Sequence, residues 1–189
     1  MTKCDRILVV SATSRELAAP DGWRTLKCGV GPIEAAATTA AEIARGRPAI
    51  ILHVGIAGAR CHRGFAPGTL VIGTESRYCD LGVQAEWAPS TVTSTPALLA
   101  AAQRAWPAAL LLPIGTSARV GGTSGCDIEA MEGFGVLRAA ELAGVPAIEV
   151  RAISNDIEEP ERARWHFDTA CAAITAATPA LVAELLLAL

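Results

Sequence analysis

Short apolar runs rich in valine, isoleucine and leucine alternate along the chain with alanine-rich segments. The runs predict strands, and they cover residues 6–12, 25–30, 49–55, 69–74, 110–114, 117–121 and 147–153. The segments that predict helices cover residues 32–45, 95–105, 127–143, 161–177 and 180–189. Residues 49–55 are apolar at nearly every position, which is typical of a strand covered by helices on both faces. We therefore expect an α/β fold: a single domain spanning residues 1–189, with a central mixed, mainly parallel twisted sheet flanked by helices.

Composition and charge narrow the classes of function. The 189 residues are 51% hydrophobic and carry a net charge of −3. This excludes a disordered chain and argues against nucleic acid as a partner, because no basic face is implied that could neutralise phosphates. We expect no membrane span, since Pro179 and Glu184 interrupt the longest apolar stretch, residues 176–189, and a span needs about 20 apolar residues. The mean hydropathy of +0.37 instead predicts a homo-oligomer that buries apolar surface.

The six cysteines do not form a metal-binding or redox motif. None has C-x-x-C spacing, and the adjacent pair Cys61 and His62 cannot supply the four ligands of a tetrahedral zinc site. Residues 1–6 are polar and lack the apolar core of a secretory signal. The glycine-containing segments 29–31 and 55–58 do not fit the G-x-G-x-x-G dinucleotide fingerprint. We expect a cytoplasmic protein with reduced thiols, no metal and no cofactor.

Four segments carry the candidate chemistry. In a parallel α/β sheet, ligands lie beyond the carboxyl ends of the strands. The segments that stand there, or that open a helix, are residues 11–16, 55–59, 127–134 and 151–156. Glu129 and Glu132 would share one face of the predicted helix near its N-terminus. Each segment also has a plain structural explanation. Glu16 would be a solvated loop carboxylate, and residues 55–59 would form a tight glycine turn. The carboxylates of residues 127–134 would favour the helix dipole, and residues 151–156 would form a Ser-Asn-Asp turn.

Taken together and in this order, the segments resemble the purine nucleoside phosphorylase and nucleosidase superfamily over nearly the whole chain. The strongest match is Met131-Glu132-Gly133, followed about twenty residues later by residues 150–155. Further support comes from the glycines of residues 29–31 and 55–58 and from Glu16 after the first strand.

Glu75, Tyr78 and Asp80-Leu81-Gly82 most resemble the futalosine hydrolases of this superfamily. The resemblance implies an N-ribosyl hydrolase (a nucleosidase) that cleaves the N-glycosidic bond of futalosine or a related 6-oxopurine nucleoside. It would release hypoxanthine and serve menaquinone biosynthesis. The alternatives are a methylthioadenosine/adenosylhomocysteine nucleosidase, a phosphate-dependent purine nucleoside phosphorylase and, outside enzymes, a silent nucleoside-binding module. The superfamily forms dimers, trimers and hexamers, of which we expect a dimer here.

The resemblance also implies roles for individual residues. Glu16 is expected to be the general base that activates water, as cleavage through an oxocarbenium-like sugar requires. Glu132 is expected to bind the ribose hydroxyls, with Met131 packed on the sugar, and its charge would favour the cationic transition state. Ala57 and Gly58 are expected to line the substrate site, where small residues let the backbone approach a ligand.

Asn155 stands where adenine-specific relatives carry an aspartate that protonates purine N7. An amide cannot act as that acid, but it offers both a donor and an acceptor, which suits a 6-oxopurine with acceptors at N7 and O6. Asp156 would restore the acid if the strand register slipped by one residue. Trp165, ten residues after Asn155, is expected to stack near the purine or to form a lid, unless it is simply a core residue of its helix.

His53 stands where many phosphorylases carry an arginine that binds phosphate. An imidazole is a poor replacement for a permanently charged, forked guanidinium, so water is the expected nucleophile. Arg60 or Arg119 could still reach the site from another loop.

Overall fold

The computed structural model describes residues 6–84, 86–121 and 125–188. Its strands are β1 (Ile7–Ser11), β2 (Arg24–Lys27), β3 (Ile50–Ala59), β4 (Leu70–Tyr78), β5 (Thr91–Thr93), β6 (Leu110–Thr116), β7 (Ile128–Ala130) and β8 (Ala147–Asp156). Its α-helices are α1 (Pro32–Arg45), α2 (Pro96–Ala105), α3 (Gly133–Leu142) and α4 (Phe167–Leu187). Single turns of 3-10 helix cover Ser14–Glu16, Cys61–Arg63 and Arg162–Arg164.

All eight strands belong to one sheet, in the order β2-β1-β3-β7-β6-β4-β5, with β8 paired to both β3 and β4. The pairs β1–β2, β1–β3, β3–β8, β4–β6 and β6–β7 are parallel. The pairs β3–β7, β4–β5 and β4–β8 are antiparallel. Parallel pairs predominate, which confirms the predicted mixed, mainly parallel sheet. Strands β3, β8, β4, β6 and β7 pair in a closed ring, whose interior is filled by small and branched apolar side chains.

Helices cover the sheet on both faces, as the continuous apolar strands predict. Helices α1 and α3 pack on one face over Leu8, Val10 and Ile51, whereas α2 and α4 pack on the other. Helices α1 and α3 approach so closely that a Cβ at Gly135 would collide with the carbonyl oxygen of Pro32.

The predicted helix over residues 127–143 is wrong at its start. Residues Ile128–Ala130 form β7, which pairs with β3 and β6, and α3 begins only at Gly133. Pairing on both sides overrides the local preference for helix. Glu129 and Glu132 therefore do not share a helical face, because Glu129 is on a strand and Glu132 caps the helix.

Two further strand assignments differ from the sequence prediction. Residues 117–121 form a loop rather than a strand, in which Ser117 Oγ donates to the carbonyl oxygen of Arg119 (2.8 Å) and Ala118 N–H donates to Asp80 (2.8 Å). The short edge strand β5 was not predicted. Strands β3 and β8 also run past residues 55 and 153, so that Ala57, Gly58 and Asn155 lie on strands.

The two helices predicted at the C-terminal end are one helix, α4, which continues through Pro179. Its Ala177, Leu181 and Leu185 are wholly buried, so packing on both sides of the proline holds the helix together.

By length and composition alone α4 could cross a membrane, with a mean hydropathy of 1.8 over its best window. The expectation that no segment is long enough was therefore wrong. Its contacts with α2, β3 and β8 account for the apolar run as a core helix.

Candidate active site

A cavity of about 270 Å³ opens at the carboxyl ends of β1, β3, β7 and β8. Its walls include all seven residues predicted for the site: Glu16, Ala57, Gly58, Met131, Glu132, Asn155 and Trp165. This is the edge of the sheet at which open α/β folds bind ligands.

Glu16 lies at the end of a 3-10 turn that fixes its carboxylate. Glu16 Oε2 accepts hydrogen bonds from Thr13 N–H and Thr13 Oγ1–H, both at 2.8 Å. Glu16 Oε1 accepts a longer bond from Ile56 N–H (3.3 Å). The side chain is buried and yet borders the cavity. The solvated-loop explanation for Glu16 is therefore wrong, because neighbouring donors hold its carboxylate in one orientation.

Glu132 precedes α3 and is also buried at the cavity wall. Its Oε1 accepts from Gly31 N–H (3.2 Å), and its Oε2 accepts from Nη1 and Nη2 of Arg151, both at 3.3 Å. Burial raises the pKa of Glu132, while the charge of Arg151 opposes that rise. The glycine segment 29–31 thus holds Glu132 through a backbone N–H.

Arg151 is wholly buried behind the cavity, rather than facing it. Its Nε donates to Glu149 Oε1 (2.8 Å), and its Nη1 donates to the carbonyl oxygen of Ile56 (3.3 Å). Burial would lower the pKa of Arg151, but the carboxylates of Glu149 and Glu132 outweigh it and raise that pKa. Arg151 is therefore a permanent cation that braces the wall carrying Glu132.

His53 completes this buried network. Its Nε2 lies 2.5 Å from Arg151 Nη2, and its Nδ1 lies 3.0 Å from the carbonyl oxygen of Val10. Burial, and then the charge of Arg151, lower the pKa of His53 well below its usual value. The ring is thus neutral, with Nδ1–H donating to Val10 and Nε2 accepting from Arg151.

Two glycines make room for the network. A Cβ at Gly55 would collide with Arg151 Nη1, and one at Gly133 would collide with the Glu149 carboxylate. Gly55 therefore makes room for a buried side chain: the guanidinium of Arg151 occupies the space where a side chain of residue 55 would lie.

Asn155 reaches the cavity because β8 is irregular. The register between β3 and β8 shifts after Ala57, so that Gly58 pairs with Asn155 and Ser154 is skipped. Ser154 Oγ lies 2.7 Å from Asn155 Oδ1, and Asn155 Nδ2 donates to the carbonyl oxygen of Asp156 (2.8 Å). Asp156 is exposed and borders a neighbouring depression instead. The amide, not the carboxylate, therefore faces the candidate site.

Trp165 precedes α4, so the alternative of a core residue on a helix face is wrong. Its Nε1–H donates to the carbonyl oxygen of Glu159 (3.0 Å), and its ring centroid lies 5.4 Å from that of Phe167. The guanidinium of Arg162 lies 5.7 Å from the same ring. These three side chains form one wall of the cavity.

The family model of the phosphorylase superfamily matches residues 25–123, more than half of the chain. The chain belongs to this superfamily. It is 38% identical to a futalosine hydrolase of Streptomyces coelicolor, in an alignment that covers 82% of this chain and 77% of that protein. The predicted resemblance is thereby confirmed.

Solved structures match the superfamily fold over nearly the whole chain. A 5′-methylthioadenosine/S-adenosylhomocysteine nucleosidase of Colwellia psychrerythraea, in complex with adenine, gives a TM-score of 0.83 at 17% identity and covers 95% of both chains. A futalosine hydrolase of Helicobacter pylori gives 0.82 at 15% identity and covers 94% of this chain and 97% of its own. At these identities, the likeness confirms the predicted fold class.

Sequence reasoning placed Glu129 at a helix N-terminus and gave it no role in the site. Glu129 is buried on β7, borders the cavity and accepts a hydrogen bond from Gly121 N–H (2.9 Å). The alternation of apolar and acidic residues in Ile-Glu-Ala was the signal for a strand, but three residues are too few to separate a strand from a helix start.

Of the basic residues that could bind phosphate, His53, Arg60 and Arg119 do not border the cavity, whereas Arg162 does. His53 lies behind the cavity wall, and Arg60 pairs with Glu158 (3.1 Å) outside it. Arg119 does not border the cavity either. In the part of the chain that the structure describes, Arg162 is the cation on the cavity wall, and it lies on the exposed side.

Proposed function

We propose that this protein hydrolyses the N-glycosidic bond of futalosine, or of a related 6-oxopurine nucleoside, and releases hypoxanthine. The observation that carries the proposal is the meeting of two buried carboxylates, Glu16 and Glu132, and one amide, Asn155, around a single cavity. The 38% identity to a futalosine hydrolase supports this substrate. The protein is thus a hydrolase that acts on N-glycosyl compounds.

Glu16 activates the water. Cleavage passes through an oxocarbenium-like sugar, and a general base must accept the proton of the attacking water. The bonds from Thr13 and Ile56 leave carboxylate lone pairs for this task, because two carboxylate oxygens offer about four acceptor positions. Since those partners are neutral, no cation at hydrogen-bond distance competes for the basic oxygens among the contacts of Glu16.

Glu132 binds the ribose hydroxyls, with Met131 packed against the sugar. The charge of Arg151 favours the ionised form of Glu132 and opposes the cost of burial, and the carboxylate accepts both O–H groups. A negative charge held close to the sugar also favours the positive charge that develops there. Arg151 and His53 act on Glu132 from behind and are positioning residues.

Asn155 stabilises the departing base. Its Nδ2 donates to purine N7, and this bond strengthens as negative charge accumulates on the leaving group. The base departs as an anion and takes up, through solvent, the proton that Glu16 accepted from the attacking water. An amide donates without transferring a proton, which suits hypoxanthine, a base with acceptors at N7 and O6. Ala57, Gly58 and Trp165 shape the walls around the substrate.

Water is favoured over phosphate as the nucleophile. Two of the cavity-wall carboxylates, Glu16 and Glu132, lie where an anionic nucleophile would meet like charge, and the neutral His53 stands where phosphorylases carry an arginine. Among the residues that the structure describes, Arg162 is the cation on the wall, and it lies on the exposed side.

One assay separates the candidate functions. The protein is incubated with futalosine, inosine or methylthioadenosine, with and without phosphate, and the free base is identified. We expect release of hypoxanthine that does not depend on phosphate. Release only with phosphate would identify a phosphorylase, and preferred release of adenine would identify the methylthioadenosine-type nucleosidase. Release from no substrate would favour a silent nucleoside-binding module and contradict the proposal.

The resemblance to futalosine hydrolases also supports the finer parts of this proposal. They are a role in menaquinone biosynthesis in the cytoplasm, a nucleoside as the small-molecule partner, a single domain over residues 1–189, and a homodimer as the working form.

A further inference from the structure

The thiols of Cys79 and Cys126 lie against each other, outside the cavity described above. Cys79 directly follows β4, and Cys126 lies two positions before β7. Both strands pair with β6, so the fold brings together two cysteines that are far apart in the sequence. Their side chains hydrogen-bond to each other and are not joined by a disulfide.

Backbone contacts hold the Cys79 sulfur beside its neighbour. The N–H of Cys79 donates to the carbonyl oxygen of Thr116 (2.9 Å), and its sulfur lies 3.2 Å from the carbonyl oxygen of Arg77. Gly125, next to Cys126 in the chain, donates its backbone N–H to the same sulfur. The pair is therefore a fixed arrangement of two segments rather than a chance contact of exposed side chains.

Arg77 sets a positive charge beside Cys126. Its side chain hydrogen-bonds to the Cys126 sulfur. The hydrogen bond from Cys79 lowers the pKa of Cys126, burial opposes this, and the charge of Arg77 lowers it further. The same thiol-thiol bond, and then burial, raise the pKa of Cys79. Cys126 is thus the thiol that ionises more easily, and the thiolate is the nucleophilic form of cysteine.

A small depression of about 170 Å³ gives access to Cys126. Its walls include Arg77, Leu112 and Gly125. Cys126 is 6% exposed, and Cys79 is half-buried. A water molecule takes up about 30 Å³, so an oxidant as small as hydrogen peroxide fits beside the sulfur.

We propose that Cys79 and Cys126 are a peroxide-oxidised pair that closes to a reversible disulfide, with Cys126 as the attacking thiol and Cys79 as the resolving thiol. This site is separate from the proposed hydrolysis. In the cytoplasm, disulfides are usually transient and redox-sensing, which matches two thiols that are adjacent but not joined.

The reaction has two steps. The Cys126 thiolate attacks one oxygen of the peroxide, an S–O bond forms, the O–O bond breaks, and the hydroxide that leaves takes up a proton to become water. The sulfur is thereby oxidised to a sulfenic acid, and the peroxide is reduced. The Cys79 sulfur then attacks the Cys126 sulfur, the S–S bond forms, the S–O bond breaks, and the hydroxyl leaves as water with the proton of Cys79. A thiol reductant restores both thiols by exchange.

Peptide mapping of the wild-type protein tests the proposal. The reduced protein is treated with hydrogen peroxide, the remaining thiols are blocked with N-ethylmaleimide, and a tryptic digest is analysed without reduction. Trypsin cleaves after lysine and arginine, which puts the two cysteines on separate peptides, residues 78–104 and 120–138. We expect these peptides to be joined and to separate again with dithiothreitol. Absence of the joined species, or equal joining of Cys126 to other cysteines, would overturn the proposal.

Two variants test the order of attack. In Cys79→Ser, oxidation of Cys126 should stop at the sulfenic acid, which dimedone labels. In Cys126→Ser, labelling of Cys79 should be lost, and labelling as strong as that of Cys126 would overturn the assigned roles. Cys61→Ser is the matched control, because Cys61 is exposed on a 3-10 turn, and it should give the wild-type yield of joined peptide. The mapping needs no variant, so it decides for or against the pair even if a variant fails to fold.

Discussion

Glu16 and Glu132 are both buried at the cavity wall, but their partners differ in charge. Glu16 accepts from neutral N–H and O–H donors of Thr13 and Ile56. Glu132 instead shares its Oε2 with the guanidinium of Arg151. The guanidinium fixes the carboxylate of Glu132 in place, whereas the neutral donors of Glu16 leave lone pairs on its oxygens for a further partner. This contrast supports the proposed roles, water activation for Glu16 and sugar binding for Glu132.

Replacement of Glu16 should separate binding from chemistry. Glu16→Gln keeps one oxygen that can accept from Thr13 N–H and Oγ1–H, but it loses the acceptor for Ile56 N–H and the basic carboxylate. We expect kcat to fall about 100- to 10,000-fold, the usual contribution of a general base, while the affinity for hypoxanthine stays within a few-fold of wild type. Steady-state kinetics and calorimetry measure the two quantities.

The control for this substitution is Glu161→Gln, which changes an exposed carboxylate near Trp165 that pairs with Arg164 (3.1 Å). It should retain full activity. An unchanged kcat in Glu16→Gln would remove Glu16 from the mechanism.

The sequence identifies those site residues whose motif spans only a few consecutive positions. Glu16, Glu132 and Asn155 belong to short segments in a fixed order, and the cavity brings them together. Glu129 and the buried Arg151 were misjudged, because their meaning depends on partners from other strands. Which face of a strand is buried, and what lies behind a cavity wall, follows from pairing over long sequence distances.

At the scale of elements, β3 and β8 form the frame of the site. Their parallel register sets His53 opposite Glu149 and Gly55 opposite Arg151. The side chains of this frame form an ion-pair and hydrogen-bond network between α3 and the sheet. The sequence predicted both strands from their apolar runs, but it did not predict β7, which is held by pairing with β3 and β6 rather than by local preference.

The buried neutral His53 makes the stability of this frame depend on pH. Above about pH 6.5, the ordinary pKa of histidine, the ring is neutral in both the folded and the unfolded chain. Below that pH the unfolded chain binds a proton that folded His53 excludes, since its folded pKa is lowered. The free energy of unfolding should therefore fall on acidification, by up to about 1.4 kcal/mol per pH unit from this residue.

The variant His53→Gln isolates this effect, because an amide can accept from Arg151 and donate to Val10 without titrating. Urea unfolding of both proteins at pH 7.5 and 5.5 gives the comparison, and we expect a smaller loss in the variant. Glu132 works in the opposite direction: its raised pKa gives stability below the ordinary glutamate pKa that is lost as the pH rises. The contribution of Glu132 is present in both the wild-type protein and the His53→Gln variant. An equal loss in the variant would contradict the role of His53.

In the whole molecule, the many apolar residues of the sequence lie in two places, the core and the surface. Many of them lie in the sheet and in α4, whose buried face packs against the strands. The rest are on the surface. Ile33 at the start of α1 is 78% exposed, and Val30, which borders the cavity, is 56% exposed. Exposed apolar side chains beside a functional cavity are typical of surfaces that a second subunit covers.

The proposed homodimer can be tested at this surface. Sedimentation equilibrium of the wild-type protein should give twice the chain mass, and Ile33→Asp should shift it toward the monomer, because a carboxylate buried in an apolar interface lacks a partner. Since Val30 borders the cavity, the variant should also have a raised KM. Leu187→Asp is the matched control, because Leu187 is 77% exposed at the far end of α4. A wild-type monomer would contradict the dimer, and dissociation by Leu187→Asp alone would place the interface on another face, away from the site.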